Sequence, residues 1–536
     1  MKKILPFLFV LLHTVTFSQE DAWVYFNDKP NAQTYLSNPL SMLSQRALDR
    51  RAAQNIAVDI QDVPIHQNYI DQITAVPGIS VMAKSKWMNA LHIRGTQSVI
   101  NGLTTLSFVH HVDFANKTLN TNKNTNTAAS GLFNKTLDVQ TNFPYGASAA
   151  QIQMLNGHLL HQQDFTGTGK IIAVMDAGFP GVDTTDPFLR LRTNNQIKGG
   201  YNFVNRNANF YTGFQHGTQV LSNMAAYVDN QLVGTAPDAS YYLFVTEDIN
   251  SESPLEESLW VEAAETADSL GVDVINSSLG YNLFTNAAYN HTYQDMDGNT
   301  TFITRGANIA FTRGMIVVVS AGNEGAKPWK FITAPADATN VLTVGAVSAS
   351  EVRAGFSSQG PTADGRIKPD VMAMGAASVV TTQTGEIGYN NGTSFSAPTL
   401  AGLVACLWQA LPNKTNAQLV QIIKESADRY TNPDNFYGYG IPDFQQALNT
   451  ALSTASFAVN GFNLYPNPTA GTITITSPDN TVARFVLYNS LGQEIMKKNI
   501  SSLQEETISL ESFTSGIYCY TIVSGEATFS GKLIKK

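Results

Sequence analysis

Cysteine is scarce in this chain. Cys406 and Cys519 are the only two among 536 residues. Cys406 lies in an apolar stretch and Cys519 in the last segment of the chain, so a disulfide between them is not expected. We interpret both as small, buried apolar residues. The fold must therefore be held by its hydrophobic core rather than by cross-links.

Charge is also sparse, and basic residues are not in excess. Charged residues make up 14% of the chain, hydrophobic residues 43%, and the formal net charge is −9. This composition excludes a disordered chain and gives no basic surface for nucleic acid, so we expect no nucleic-acid partner. The length leaves room for about three domains.

Long apolar runs are missing beyond the first residues. Met1-Lys2-Lys3 is followed by a short apolar run over residues 4–12 and by small residues at 16 and 18. That order is typical of a signal peptide, here residues 1–18, cleaved near Ser18 or Gln19. The run falls short of the ~20 residues that a spanning helix needs, and no later run is longer. The sequence predicts an exported protein.

What the chain does have is a serine placed for chemistry. Gly392-Thr393-Ser394 opens an apolar segment that is typical of a buried helix. Free N–H groups and the positive end of the dipole on a first helical turn can stabilise an oxyanion beside a serine hydroxyl. On its own, a serine there is more simply explained as a helix N-cap.

Upstream residues could supply a base and an acid. Asp176 ends a predicted buried strand at residues 171–175, and open parallel sheets place ligands at that end of their strands. His216 is followed by Gly217 and a segment that can continue as a helix. Taken singly, His216 could be a structural histidine and Asp176 a turn residue. The chain order is Asp, His, Ser.

A fourth side chain fits an oxyanion donor. Residues 314–320 read as another buried strand, and Ala321-Gly322-Asn323 follows it. An asparagine amide at such a strand end can donate to a tetrahedral intermediate, and loss of such a donor costs ~3–4 kcal/mol.

Together these motifs resemble the subtilisin-like serine protease family over roughly residues 145–450. The resemblance is carried by Asp176-Ala-Gly, His216-Gly-Thr, Ser278-Leu279-Gly280, Ala321-Gly-Asn323, Phe356-Ser-Ser-Gln-Gly-Pro361 and Gly392-Thr-Ser394. It implies a secreted serine endopeptidase in which Ser394 is the nucleophile, His216 the base, Asp176 its orienting acid and Asn323 the oxyanion donor. The alternative is a catalytically inactive subtilisin-like surface binding protein.

The same resemblance implies how a substrate would bind. Ser278, Leu279, Gly280, Ala321 and Gly322 match the family segments that pair with an extended peptide, a mode that usually gives broad specificity. Glu324 would sit near the mouth of the primary pocket and accept a basic side chain.

No cofactor is required by this chemistry, and no metal ligand is assigned. Asp295 and Asp297 have oxygen atoms at a calcium-like spacing and are weak candidates for a structural calcium ion. The terminal Glu of a full EF-hand loop is missing, which favours a plain Asp-Gly turn for this stretch.

The predicted fold class is α/β: a parallel β-sheet with helices on both faces over residues 145–452, including predicted helices over 257–270 and 307–313. Residues 19–125 form a small α+β module that resembles the family's propeptide, and 126–144 are an Asn- and Thr-rich linker where maturation is expected. Arg50-Arg51 lies in a helical pattern, which favours a solvated helix face over a dibasic cleavage site.

Residues 453–536 change to period-two alternation between turns, which predicts a small antiparallel β-sandwich. Leu464-Tyr-Pro-Asn-Pro468 and the basic end at 531–536 resemble the sorting domain that Bacteroidetes-type bacteria use in type nine secretion; the alternative is a substrate-binding β-module. The expected partners are protein or peptide substrates, the chain's own propeptide as inhibitor, and the outer-membrane secretion machinery. We expect a monomer, either extracellular or at the outer cell surface.

Overall fold

The computed structural model describes residues 18–120, 143–452, 462–476, 482–489, 492–500, 505–524 and 527–536. The chain divides into two compact units, Met1–Ala451 and Leu452–Lys536. The predicted signal peptide, apart from Ser18, and the predicted linker, apart from residues 143 and 144, lie outside the described residues.

The first unit begins with a module of one antiparallel sheet, in the order β2-β3-β1-β4. Its strands are β1 (Gln19–Phe26), β2 (Ser80–Ser85), β3 (Ala90–Thr96) and β4 (Val109–Phe114), and its helices are α1 (Ala32–Leu36), α2 (Gln45–Ala52), α3 (Gln67–Thr74) and α4 (Gln97–Gly102). Strand β1 alternates: Ala22 and Val24 pack into the module's own core, whereas Trp23 and Tyr25 pack into a second core. The module therefore has two apolar faces.

The rest of this unit is built on a seven-stranded sheet in which every neighbouring pair is parallel, in the order β13-β12-β11-β10-β5-β9-β6. The strands are β5 (Ile171–Asp176), β6 (Ile197–Asn202), β9 (Ser240–Val245), β10 (Val274–Ser277), β11 (Ile316–Ser320), β12 (Leu342–Val347) and β13 (Val371–Met374). Short antiparallel pairs accompany it: β7 (Tyr227–Val228) with β8 (Leu232–Val233), and β14 (Ser378–Thr381) with β15 (Ile387–Asn390).

Helices cover both faces of this sheet, as predicted. They are α5 (Ala149–Gln153), α6 (His158–His161), α7 (Leu189–Thr193), α8 (His216–Ala225), α9 (Pro254–Leu270), α10 (Phe302–Thr312), α11 (Thr393–Ala410), α12 (Asn416–Glu425) and α13 (Phe444–Leu452). Successive residues of β5 point to opposite faces, so Ile172 and Val174 share a core with α11, while Ala173 and Met175 share one with α9. The predicted fold class is confirmed.

Two predicted helices begin earlier than the sequence pattern suggested. Helix α9 was expected from residue 257 but begins at Pro254, because Ser253 and Glu256 form a capping box and Pro254 occupies the first turn. Helix α10 was expected from residue 307 but begins at Phe302, where the Thr301 side chain caps the N–H of Thr304.

The N-terminal module packs against α9 and α10. Its Trp23 donates from Nε1 to Ser258 Oγ at 2.8 Å, and the Glu265 carboxylate accepts from Ser85 Oγ at 2.6 Å and from the Trp87 N–H at 3.0 Å. Burial raises the pKa of Glu265 to about 7. Polar groups of α9 are thus matched to strand ends of the module.

The expectation that Arg50 and Arg51 lie on a solvated helix face is wrong. Their side chains are 4% and 1% exposed, and each donates to Asp268 of α9, at 2.5 Å and 2.6 Å. Arg51 also pairs with Asp62 at 2.6 Å. A buried arginine is tolerated only when carboxylates compensate the lost hydration, and that partner comes from a helix more than 200 residues away.

The second unit consists of two antiparallel sheets, in the orders β16-β17-β20 and β19-β18-β21-β22. The strands are β16 (Asn463–Tyr465), β17 (Thr472–Thr476), β18 (Ala483–Tyr488), β19 (Glu494–Ile500), β20 (Glu505–Ser509), β21 (Gly516–Ser524) and β22 (Ala527–Lys535). Ile475, Phe485 and Ile522, from both sheets, share one core, so the predicted antiparallel sandwich is confirmed.

Only one of the two cysteines is buried. Cys406 is fully buried in α11, whereas Cys519 is exposed, and both are free thiols. The prediction for Cys519 is wrong because β21 alternates: Tyr518 and Ile522 face the core, and Cys519 faces outward. Among the described residues, none of the helices is long and apolar enough to cross a membrane.

Candidate active site

Four of the predicted site residues lie at the carboxyl edge of the parallel sheet or at helix starts beside it. Asp176 is the last residue of β5, His216 the first of α8, and Ser394 the second of α11. Asn323 follows β11 by three residues. A parallel sheet collects such positions at one edge, although the four residues are spread over more than 200 positions of sequence.

Asp176 and His216 form a direct contact. His216 Nδ1 lies 2.7 Å from Asp176 Oδ1, and that oxygen also accepts the Ala177 N–H at 2.8 Å. The aspartate is fully buried, while the histidine side chain remains 24% exposed. Burial by itself disfavours protonation of His216, but the Asp176 charge and hydrogen bond outweigh it and raise the pKa of His216. The imidazole is therefore oriented, with its other nitrogen left for a reaction partner.

The serine hydroxyl points to a different partner. Ser394 is 7% exposed, and its Oγ donates to the Ser278 carbonyl at 3.3 Å rather than to His216. In return, Ser278 Oγ donates to the Ser394 carbonyl at 2.9 Å. The His216 ring lies 6.1 Å from the ring of Phe395, the next residue after the serine. The hydrogen bond between a nucleophilic serine and its histidine base often tightens only when substrate binds.

Asn323 has a fixed orientation. Its Oδ1 accepts both the N–H of Thr393, at 2.9 Å, and the Thr393 hydroxyl, at 3.1 Å. A backbone N–H can only donate, so the amide oxygen must face Thr393 and the amide nitrogen faces away. Among the described residues Nδ2 has no hydrogen-bond partner, and the side chain is exposed, so this N–H₂ is free to bind a ligand.

The predicted substrate-binding residues surround the buried hydroxyl of Thr333. A Cβ added to Gly280 or to Gly322 would lie 2.2 Å or 3.0 Å from Thr333 Oγ1, so both glycines approach this hydroxyl closely. Leu279 and Ala321 are buried beside them. Thr333 is 2% exposed and its hydroxyl has no hydrogen-bond partner in the described structure. No motif in the sequence pointed to Thr333, because the chain brings it here from the loop that follows residue 330.

Glu324 is partly neutralised by a neighbour. Its N–H donates to Ser358 Oγ at 3.0 Å, and Ser358 also lies against Gly322, so Glu324 stays close to this glycine. Its carboxylate pairs with Lys327 at 2.7 Å. A substrate cation would therefore compete with Lys327 for this carboxylate.

The calcium candidates do not fit a cation site. Asp295 Oδ2 pairs with Lys117 at 2.6 Å and accepts the Thr292 N–H, while Asp297 accepts N–H and hydroxyl groups of residues 299 and 300. Within the described ranges, no group of three or more His, Cys, Asp or Glu side chains is arranged to hold a metal ion. These two carboxylates serve as turn and cap acceptors.

Comparison with known protein families assigns this chain to one of them. Residues 167–440, just over half of the chain, match the model of the subtilase family, peptidase S8. The chain belongs to the subtilase family. It is a serine-type endopeptidase of that family.

Individual subtilases are similar in sequence to this chain over the same region. The chain is 33% identical to subtilisin E of Bacillus subtilis over 308 residues, which cover 57% of this chain and 71% of that protein. It is 32% identical to subtilisin of Bacillus pumilus over 57% of this chain and 98% of that protein. A solved structure of MycP1 with the N-terminal propeptide removed has 23% identity and a TM-score of 0.44, over 56% of this chain and 96% of the other.

The flanking regions match two further models. Residues 21–130 match the peptidase S8 propeptide domain of Bacteroidota, and residues 463–536 match the secretion system C-terminal sorting domain. The N-terminal module is thus a propeptide domain, and the sorting domain marks the subtilase as a secreted or cell-surface protein. The predicted resemblances to all three are confirmed.

Proposed function

We propose that this subtilase hydrolyses peptide bonds in proteins outside the cell through an acyl-enzyme formed on Ser394. The observation that carries the proposal is the 2.7 Å contact between His216 Nδ1 and the buried Asp176. It orients an imidazole whose free nitrogen can take the serine proton, beside a serine on the first turn of α11.

The reaction would run in two balanced steps. Ser394 Oγ attacks the substrate carbonyl carbon as its proton passes to His216 Nε2, and that proton then leaves with the amine when the C–N bond breaks. Water, deprotonated by His216, attacks the ester, and the serine regains its proton. Asp176 keeps Nδ1 protonated and stabilises the imidazolium, while the Asn323 Nδ2 and the Ser394 N–H bind the oxyanion.

Substrate is proposed to bind as an extended strand along Ser278–Gly280 and Ala321–Gly322, with the side chain of the scissile residue over Gly280 and Gly322. The propeptide domain is proposed to inhibit the enzyme until a cut between about 116 and 145 releases it, and the enzyme is proposed to act as a monomer. The domain boundaries predicted from the sequence, with the protease over 145–452, stay proposals of the same kind.

Fluorophosphonate labelling of the secreted protein tests the proposal, because the reagent reacts only with an activated serine. We expect one adduct by intact mass, absent in Ser394→Ala, and the labelled mass also locates the maturation cuts. A folded protein freed of its propeptide that takes up no label would favour the inactive binding scaffold instead.

A further inference from the structure

A carboxylate that the mechanism does not use lies beside the catalytic pair. In the sheet, Val245 at the end of β9 is opposite Asp176 at the end of β5, and the Thr246 N–H donates to the Asp176 carbonyl at 3.0 Å. Glu247 is the next residue. The chain therefore leaves the sheet directly beside the aspartate, and the Glu247 charge acts on both Asp176 and His216.

Glu247 is also near the segment that is proposed to bind substrate. Tyr281, the residue after Gly280, is within reach of the Glu247 and Glu252 charges, which add to the effect of burial in raising the pKa of its hydroxyl. The N–H of Thr285 donates to the Glu252 carbonyl at 2.9 Å, which ties the two loops together. The Glu247 charge thus acts both on the proposed catalytic histidine and on Tyr281, which follows the segment that is proposed to pair with substrate.

Two other carboxylates of this region, those of Glu256 and Glu324, have partners. Both oxygens of Glu256 accept backbone N–H groups, of Asp248 at 2.9 Å and Ser253 at 2.8 Å, and Glu324 pairs with Lys327. Glu247 is half-buried and, within the described part of the chain, its carboxylate has no hydrogen bond or ion pair. A partly buried carboxylate without a cation is costly, and a ligand cation would relieve that cost.

We propose that Glu247 selects substrates with a lysine or arginine at the second position, the residue just before the scissile one. Side chains of an extended peptide alternate between its two faces. With the scissile residue's side chain placed over Gly280 and Gly322, as proposed above, the preceding side chain is on the opposite face of the peptide, the face that we assign to His216 and Glu247. This inference rests on the proposed function.

The test assays the mature, fully active enzyme on two sets of matched quenched-fluorescence peptides. In one set only the second position changes, from norleucine to lysine, and in the other only the scissile residue changes in the same way. At the second position we expect kcat/KM for lysine to exceed that for norleucine about tenfold, as one charge-assisted contact provides. Glu247→Gln keeps the shape and removes the charge, and should bring this ratio to about one.

Two variants make the result specific. Glu247→Asp keeps the charge and should retain most of the preference, which separates loss of charge from loss of packing. Glu324→Gln removes the other carboxylate near the cleft and should alter only the ratio at the scissile position. Active-site titration with the fluorophosphonate corrects every rate for the amount of folded enzyme.

The preference should also depend on pH. Burial and the Asp176 charge raise the pKa of Glu247 to about 7, so the carboxylate gains its charge as the pH rises from about 6 to 8, while lysine stays protonated. The titratable groups facing Glu247 are Asp176, His216, Glu252, Glu256 and Tyr281. His216 titrates with both peptides, so its effect cancels in the ratio, which should rise with pH in wild type and stay flat in Glu247→Gln.

The outcomes separate the inference from the proposed function. A wild-type ratio near one at the second position, or an elevated ratio unchanged in Glu247→Gln, overturns the selectivity while peptide hydrolysis stands. A wild type that cleaves no peptide and takes up no fluorophosphonate overturns the proposed function and, with it, this inference.

Discussion

At the scale of the residue, the orientation of one amide decides whether the site can stabilise an oxyanion. Thr393 supplies two donors to Asn323 Oδ1, so the amide cannot rotate without losing both hydrogen bonds. Thr393 immediately precedes Ser394 in α11. The proposed oxyanion donor and the proposed nucleophile are therefore held by one helical turn.

Asn323→Ala should lower kcat by about 10²–10³ and leave KM nearly unchanged, because the amide acts in the transition state rather than on bound substrate. Steady-state kinetics on a quenched peptide measures both constants. The unfolding temperature is the control, since an exposed side chain adds little to stability. A decrease of kcat below about threefold would contradict this role.

The acid limb of the pH profile should report His216. The base must be neutral to accept the serine proton, and Asp176 raises the pKa of His216. We therefore expect kcat/KM to fall as the pH drops, with a midpoint above the ~6.5 of an ordinary histidine. A norleucine peptide is the right substrate, because it is insensitive to carboxylate charge. A midpoint well below 6 would show that another group controls the rate.

Most of the predictions that the structure contradicts concern single residues. Arg50 and Arg51 were assigned to solvent and are buried against Asp268, and Cys519 was assigned to a core and is exposed. Helical periodicity says which residues share a face, but it cannot say that a carboxylate more than 200 residues away will cover that face. Thr333 escaped notice for the same reason, since only the folded chain brings it to the two glycines.

At the scale of the element, α9 joins the propeptide domain to the enzyme. Trp260 and Val261 pack against the parallel sheet in a core that also holds Trp23 of the module, while Asp268 binds the two arginines of α2. The two parts therefore share one apolar core and one buried ionic cluster.

Asp268→Asn should destabilise the unprocessed protein by about 3–5 kcal/mol, because it leaves the charges of Arg50 and Arg51 undercompensated in a buried site. Denaturant unfolding of the full chain carrying Ser394→Ala, which is not expected to process itself, measures the change. Asp49→Asn on α2 is the matched control, since Asp49 is exposed and should contribute under about 1 kcal/mol. Equal effects of the two substitutions would rule out the ionic cluster as a main contact.

At the scale of the whole molecule, the three regions that match family models form two compact units. The propeptide domain and the protease form one compact unit, and the sorting domain forms its own sandwich with a separate core. A unit with its own core can be removed without opening the core of the other.

Deletion of residues 453–536 should therefore stop export and leave the protease active. In a bacterium with type nine secretion, we expect the truncated protein in the cell fraction and the intact protein in the medium or on the surface. Fluorophosphonate labelling of each fraction measures both. Full-length Ser394→Ala is the control and should still be exported, because sorting needs the domain and not the activity. Normal export of the truncated chain would contradict the role of the sorting domain.

The sequence by itself determined the class of fold and the family, and it supplied the candidate residues of the site, because strand periodicity and short motifs are local properties of the chain. Asp176, His216, Asn323 and Ser394 could each be proposed from a few neighbours. Only the tertiary structure decided which groups meet: the 2.7 Å contact of His216 with Asp176, the burial of Arg50 and Arg51, and the position of Glu247 beside the catalytic pair. Such contacts depend on strand order and helix packing, which join residues that are distant in sequence.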